Sequence, residues 1–235
     1  MPKVHGKQDL ERVRSYYCTQ RELEDTKSTI YQIWENGGAF NDSVTPSTYS
    51  PEYRSHIGLK LLDLSDENTH VLSIGCGNGF VEADLVQGKR VVHAIDCNEE
   101  AVSLAIGKGV DAKIADFFEL QPADVATFDV IYADGLIGHL FDAQHELTPV
   151  LKKLKSLSLK PGAYLLFSND SPRDAHSDFA AHEKVEDFWF IARDYLRESL
   201  IAEDFEVVES YYFPYVRPIS GVRNRTICIA RVPGA

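Results

Sequence analysis

Gly75-Cys76-Gly77-Asn78-Gly79 carries the densest chemical signal in the chain. Glycine is needed where a turn is tight and where backbone must touch a ligand. The run follows the apolar stretch Val71-Leu72-Ser73-Ile74 and opens a helical pattern. A helix N-terminus presents free N–H groups and favours an anion, here a carboxylate or phosphate. Asp96 stands 17 residues beyond Gly79, at the end of the next apolar run. A carboxylate there can accept from both hydroxyls of a ribose. The order strand, glycine turn, helix, strand, acid predicts a nucleoside-containing ligand. The plainer alternative is a structural turn with an N-capping aspartate. A dinucleotide prefers G-x-G-x-x-G, and Phe80 breaks that fingerprint.

A second group follows the apolar run Phe128 to Ala133: Asp134-Gly135-Leu136-Ile137-Gly138-His139-Leu140. Ligands of open α/β sheets lie outside the carboxyl ends of the strands, so this stretch belongs beside the glycine loop. An imidazole titrates near neutral pH and suits proton removal, which makes His139 a candidate base. Asp134 is the second candidate. A helix-capping or packing histidine is the competing reading. Asp134, Asn169 and Asp170 are oxygen donors of the kind magnesium takes. Caps of a turn explain Asn169 and Asp170 more simply, and no metal is expected.

These groups need elements to hold them. The first 35 residues read as helical, with Leu10, Val13 and Tyr17 on one face, and Ile30, Ile33 and Trp34 continuing the stripe. Asn36-Gly37-Gly38 ends that helix, and a polar stretch with Pro46 and Pro51 reads as a loop or lid. Ser55 to Leu64 is a short helix. From His70, strand, turn and helix alternate. Strands are expected at Val71–Ile74, Val91–Ile95, Ala112–Ile114, Phe128–Ala133 and Ala163–Phe167. Leu147, Val150, Leu151, Leu154 and Leu157 trace a helical face between the last two. Phe188 to Ile201 reads as one helix. Phe205–Phe213 and Thr226–Val232 read as a closing antiparallel pair. Such alternation implies parallel strands with helices on both faces.

The whole pattern resembles the class I S-adenosylmethionine-dependent methyltransferase family. Val71 to Gly79 is similar to its first motif, and His93-Ala94-Ile95-Asp96 to its ribose-binding strand end. Ala115-Asp116-Phe117 looks like its adenine-binding segment, Phe128 to Asp134 like its fourth strand, and Leu159-Lys160-Pro161-Gly162 like the turn before its fifth. The resemblance covers roughly Val71 to Phe167. It implies an α/β fold: a doubly wound, mostly parallel seven-stranded sheet with an N-terminal helical lid. Residues 1–50 are expected to form that lid or extension, and residues 51–235 the methyltransferase domain. The implied cofactor is S-adenosyl-L-methionine. It would be held by Ser73, Gly75, Cys76, Gly77, Asn78 and Gly79, by Asp96 with its neighbour Cys97, and by Asp116, Phe117 and Ala133. One departure stands out. The family usually has Asp or Glu where this chain has Ser73, and that acid helps hold the cofactor's methionine end. Its role would fall to backbone carbonyls, the Ser73 hydroxyl or another acid.

Methyl transfer from a sulfonium needs mainly alignment, plus a base where the acceptor must lose a proton. Ile137-Gly138-His139-Leu140 resembles a segment of small-molecule N-methyltransferases in which the histidine faces the acceptor amine. An amine is therefore the expected acceptor. The alternatives are a hydroxyl, with or without a divalent metal, and a cofactor-binding module without catalysis. In the catechol-type O-methyltransferases an acid after strand four and an Asp-Asn pair after strand five hold magnesium. Asp134 and Asn169 match that set, but Ser168 replaces its remaining acid. Tyr16, Tyr17 and Trp34 precede the glycine loop and are expected at the acceptor. Arg217 is expected there too; with Arg223 and Arg225 it contacts an acceptor carboxylate or phosphate, or else belongs to a solvated hairpin.

Composition narrows the acceptor. A net charge of −12 repels a phosphate backbone, so nucleic acid is disfavoured. The chain also lacks the Asp/Asn-Pro-Pro-Tyr of amine-modifying nucleic-acid enzymes after strand four. No run approaches the roughly 18 apolar residues of a membrane span, and no secretory signal opens the chain. Cys18, Cys76, Cys97 and Cys228 fit neither zinc nor redox spacing, which points to free thiols in the cytoplasm. The acceptor's identity and the oligomeric state stay open at this point.

Overall fold

The computed structural model describes residues 10–23, 26–40, 42–185 and 187–234. The chain begins with helix α1 (Leu10–Cys18), a hairpin of β1 (Arg21–Leu23) and β2 (Thr26–Ser28), and helices α2 (Ile30–Glu35), α3 (Pro46–Tyr49) and α4 (Pro51–Asp63). Alternation then sets in with β3 (His70–Ile74), α5 (Phe80–Gln87), β4 (Val91–Asp96), α6 (Glu99–Gly107) and β5 (Asp111–Ile114). A 3-10 turn at Phe117–Glu119 and helix α7 (Pro122–Val125) lead into β6 (Val130–Asp134), α8 (Leu136–Leu140), α9 (Thr148–Ser156) and β7 (Tyr164–Asp170). A small hairpin of β8 (Phe179–Ala181) and β9 (Trp189–Ile191) precedes α10 (Arg193–Ala202) and the long strands β10 (Glu206–Arg217) and β11 (Gly221–Arg231).

The main sheet has seven strands in the order β10-β11-β7-β6-β3-β4-β5. Strands β3 to β7 are mutually parallel, and β11 runs antiparallel between β7 and β10. Strand order reverses between β3 and β6, which opens a crevice at their carboxyl ends. Side-chain alternation sorts the strands onto two cores. Leu72, Ile74, Ile131, Ala133, Leu165 and Phe167 pack with α8, α9 and α10. Val71, Val130, Tyr132, Leu166 and Ile227 pack with Tyr53, Ile57 and Leu61 of α4 and Val81 and Leu85 of α5. Ser73 falls on this second face, toward α5.

Several elements differ from the sequence expectation. The first 35 residues are not one helix. Thr29 starts a new one, its hydroxyl accepting from Gln32 N at 3.1 Å while the Gln32 side chain accepts from Thr29 N. The polar residues before it pair as β1 and β2. The stretch with two prolines holds α3 and the start of α4, because proline at a first helical position loses no hydrogen bond. Phe188 to Ile201 also splits. Trp189, Phe190 and Ile191 have the aromatic and branched side chains that favour strands, and they pair with Phe179–Ala181. The last hairpin extends to Arg217 and Gly221, longer than its apolar runs.

Candidate active site

The crevice is a cleft open in part to solvent, with about 1370 Å³ of space between its walls when that open solvent is included. Its floor is the turn from β3 to α5. Gly77 has φ +52°, and a Cβ there would point into open space, with Tyr31 Cε1 4.0 Å away. A ligand can therefore reach the bare backbone. Gly77 N–H donates to Asp96 Oδ2 at 3.0 Å, and Asn98 N–H to Asp96 Oδ1 at 2.9 Å. Asp96 is 7% exposed, and burial raises its carboxyl despite those donors. Cys97 also lines the cleft, and its carbonyl accepts from Arg14 Nε at 2.7 Å. Asp116 caps the 3-10 turn through Phe118 N at 2.9 Å, and it and Phe117 form another wall.

Asn78 tests whether a ligand belongs here. Its Nδ2 donates to Tyr31 O at 3.0 Å and Glu35 Oε2 at 2.7 Å, and both can only accept. That fixes which way the amide points. Its Oδ1 is buried and has no hydrogen-bond partner among the described residues. A buried acceptor left unmade costs about 1–3 kcal/mol. A polar ligand carrying N–H or O–H groups satisfies it. The glycine cradle, the buried Asp96 carboxylate and this acceptor together fit a nucleoside amino acid.

His139 stands across the cleft. Gly138 brings it there, because a Cβ at that position would lie 2.6 Å from Trp189 O and 2.7 Å from Asn169 Oδ1. Without one, α8 closes onto β7 and β9, and Gly138 N–H donates to Asn169 Oδ1 at 3.1 Å. His139 Nδ1 faces the Asp187 carbonyl at 3.2 Å. A carbonyl only accepts, so Nδ1 carries the proton and Nε2 accepts from the Tyr17 hydroxyl at 2.6 Å. Burial pushes the imidazole down to about 4. The expected titration near neutral pH is therefore corrected: desolvation keeps the ring neutral. Burial also raises the Tyr17 phenol, so it stays protonated.

Asp134 lines the cleft but is not a free base. Arg225 Nη2 donates to its Oδ1, and the Tyr132 hydroxyl to its Oδ2 at 3.3 Å. Arg225 is 2% exposed and also meets Asp170 at 3.2 Å. Arg217, 5% exposed, donates to Asp170 through Nη2, to Tyr215 Oη at 2.5 Å and to Asp42 O at 3.2 Å. The two guanidiniums hold the Asp170 carboxyl below the usual range although burial opposes it. Arg217 and Arg225 are thus buried beside the cleft, not on a solvated hairpin. Arg225 occupies the space between Asp134 and Asp170 that a metal would need. Asn169 is committed to Gly138 N, Asp170 O and Trp189 O. The residues do not fit a magnesium site.

Three expected contacts are absent from the cleft wall. Tyr16 sits behind Tyr17, ring edge to face at 5.0 Å, under the Arg21 guanidinium. Ala133 points into the α9 core, since strand alternation gives Tyr132 and Asp134 the cleft side. Ser73 is 1% exposed, and its hydroxyl donates to Glu82 Oε1 at 2.5 Å. Gly75, Cys76, Gly79, Tyr17 and Trp34 do line the cleft. Tyr31 and Asp170 line it as well, and so do Glu82 and His182, which were not expected there. Glu82 shares its only signal with Asp84: both are acids inside the otherwise apolar stretch Phe80 to Val86.

A family model described as a methyltransferase domain matches residues 65–199. A tabtoxin biosynthesis enzyme of Pseudomonas amygdali pv. tabaci is 63% identical over 226 residues, covering 96% of this chain and 90% of that one. A ubiquinone biosynthesis O-methyltransferase of Coxiella burnetii is 28% identical over 104 residues, 42% of each chain. Magnesium protoporphyrin IX methyltransferase from Synechocystis PCC 6803 shares the fold, with a TM-score of 0.63, 15% identity, and coverage of 95% of this chain and 100% of that one. The glycine cradle before a buried strand-end acid, on a sheet of this order, therefore has its family: the chain is an enzyme that belongs to the class I S-adenosylmethionine-dependent methyltransferases.

Proposed function

We propose that this enzyme methylates an amine nitrogen of a small biosynthetic intermediate in the cytoplasm, with Tyr17 and His139 removing the acceptor's proton. When bound, S-adenosylmethionine supplies a methyl already activated on a sulfonium sulfur. Asp96 holds the ribose hydroxyls, and Asp116 the adenine amino group, with Phe117 packing the ring. Gly75 to Gly79 and Cys97 line the methionine and nucleoside path. Residues 1–50 act as a lid, with Tyr17 and Trp34 closing the acceptor side and Arg217 framing it. Residues 51–235 are the catalytic domain. The acidic charge supports a small acceptor rather than nucleic acid. The relative named for tabtoxin biosynthesis supports a biosynthetic intermediate.

One observation carries the proton step: the 2.6 Å contact from Tyr17 Oη to His139 Nε2 at the cleft wall. The acceptor gives its proton to Tyr17 Oη while the tyrosine's own proton moves to Nε2. The phenol relays and never ionises; the imidazole carries the charge only in passing and gives the proton up to solvent, since burial keeps its resting form neutral. Removing a general base costs about 10²- to 10⁴-fold in turnover. His139→Asn and Tyr17→Phe should each lose turnover on that scale while S-adenosylmethionine affinity stays within about twofold. Mass spectrometry for a gain of one methyl finds the acceptor, and calorimetry reads affinity. Parent-like turnover in both variants would remove the pair from the chemistry. The O-methyltransferase relative keeps a hydroxyl acceptor as a second reading. The carbon-13 shift of a labelled product methyl separates N-methyl from O-methyl.

A further inference from the structure

Helix α5 brings a carboxylate to a place where a strand side chain was expected to provide one. Glu82 is 3% exposed, lines the cleft, and accepts the Ser73 hydroxyl at 2.5 Å. Both residues lie on the α5 face of the sheet, one on β3 and one a turn into the helix. The strand position that carries an acid elsewhere in the family therefore carries the hydrogen-bond donor here, and the acid stands opposite it. Glu82 thus sets a carboxylate beside Ser73 at the β3–α5 contact and on the cleft wall.

We infer that Glu82 takes over the role of the acid absent at Ser73 and binds the α-ammonium at the methionine end of the cofactor, with Ser73 orienting its carboxylate. This rests on the cofactor placement proposed above. The surroundings fit a cation. The charged and titratable groups facing Glu82 are Asp134 and Tyr132 from β6, Cys76 from the glycine loop, and Asp84 from its own helix. None of them is a cation; Arg225 is spent on Asp134 and Asp170, and Arg54 on Asp84. Burial raises the Glu82 carboxyl to about 7, the Ser73 hydroxyl pulls it back, and Asp134 raises it further. An ammonium beside it favours the ionised form. Binding near pH 7 then expels a proton.

Calorimetry with two ligands tests this. S-adenosylhomocysteine carries the amino-acid end, and 5′-methylthioadenosine lacks it. Glu82→Gln keeps the shape and an acceptor for Ser73 but removes the charge. It should weaken S-adenosylhomocysteine by about tenfold or more, the scale of one lost charge-assisted hydrogen bond, and leave 5′-methylthioadenosine within about twofold. Parent protein should release a proton on binding S-adenosylhomocysteine, read from heats in buffers of different ionisation enthalpy, and the variant should not. Ser73→Asp with Glu82→Ser moves the acid back to the strand and should recover most of the lost affinity. Unchanged S-adenosylhomocysteine affinity in Glu82→Gln, or equal losses for both ligands, overturns the assignment. Parent protein that binds neither ligand would instead overturn the cofactor placement itself.

Discussion

Asp96 shows how much one side chain can hold at the residue scale. Its two oxygens tie the glycine loop through Gly77 and the start of α6 through Asn98. Its remaining lone pairs are the proposed ribose contacts. Removing it takes away charge-assisted hydrogen bonds worth about 1.5–3 kcal/mol each and also loosens the cradle. Asp96→Ala should therefore weaken S-adenosylmethionine by at least about tenfold while circular dichroism stays native. Unchanged affinity in calorimetric titration of the folded variant would contradict the ribose assignment. The pattern made Asp96 visible because backbone geometry alone places a strand-end acid. His139 was visible too, but its protonation was not: that depends on Tyr17, 122 residues away, and on the Asp187 carbonyl.

Among the elements, α1 to α3 lie over the cleft and fasten to it by a few polar contacts. Arg14 donates to Cys97 O, Thr29 and Gln32 both donate to Glu100 at 2.8 Å, and Asn78 donates to Tyr31 O. Tyr17, Tyr31 and Trp34 pack on one another, with Ala101 of α6 beneath them. Helix α4 differs: Tyr53, Ile57 and Leu61 are fully buried against the sheet. A segment held by a small separate apolar cluster and a few hydrogen bonds opens locally more readily than one packed into the main core. Amide exchange over residues 10–50 should slow when S-adenosylhomocysteine binds, while α4 changes little. Equal exchange with and without ligand would count against a lid; residues 1–9 of the expected lid lie outside the described residues.

The whole molecule carries the consequences of this burial in its response to pH. His139 has its folded value lowered to about 4, against roughly 6.5 when unfolded. Below pH 6.5 the unfolded chain binds that proton and the native chain does not, so stability falls as pH drops toward 4. The ring keeps some contact with the cleft, so the loss is at most about 3 kcal/mol, a shift of one unit being 1.36 kcal/mol. Asp170, lowered in the folded state, adds a loss in the same direction at more acid pH, as protonation of the unfolded chain competes. Glu82, raised to about 7 by burial, acts in the opposite direction over the same window, so the His139 share is the difference between parent and His139→Asn: in urea titrations between pH 7 and 4.5 the parent should lose more stability, or gain less, than the variant as pH falls. The same pH dependence in both proteins would mean that His139 charges freely in the native state.

The sheet, its glycine turn and its strand-end acid were legible in the sequence because they depend on local order: period-two apolar runs, glycines after one run, Asp96 after the next. The strand positions came out close for the same reason. The β1–β2 hairpin, helix α3 and strand β9 were missed: residues 21–28 carry no apolar spacing to read, proline starts α3 inside a polar stretch, and pairing with Phe179–Ala181 decides for Trp189–Ile191. No local pattern reports that Ser73 faces Glu82, that Ala133 turns to the core, or that Tyr16 stands behind Tyr17. Nor does any show that Arg225 reaches from the last strand to fill the gap between Asp134 and Asp170. Those outcomes come from contacts between elements far apart in the chain, and burial in those contacts sets the charge of each group. The sequence determined that a methyltransferase fold with a nucleoside site would form; only tertiary packing decided which side chains face the cleft and in what protonation state.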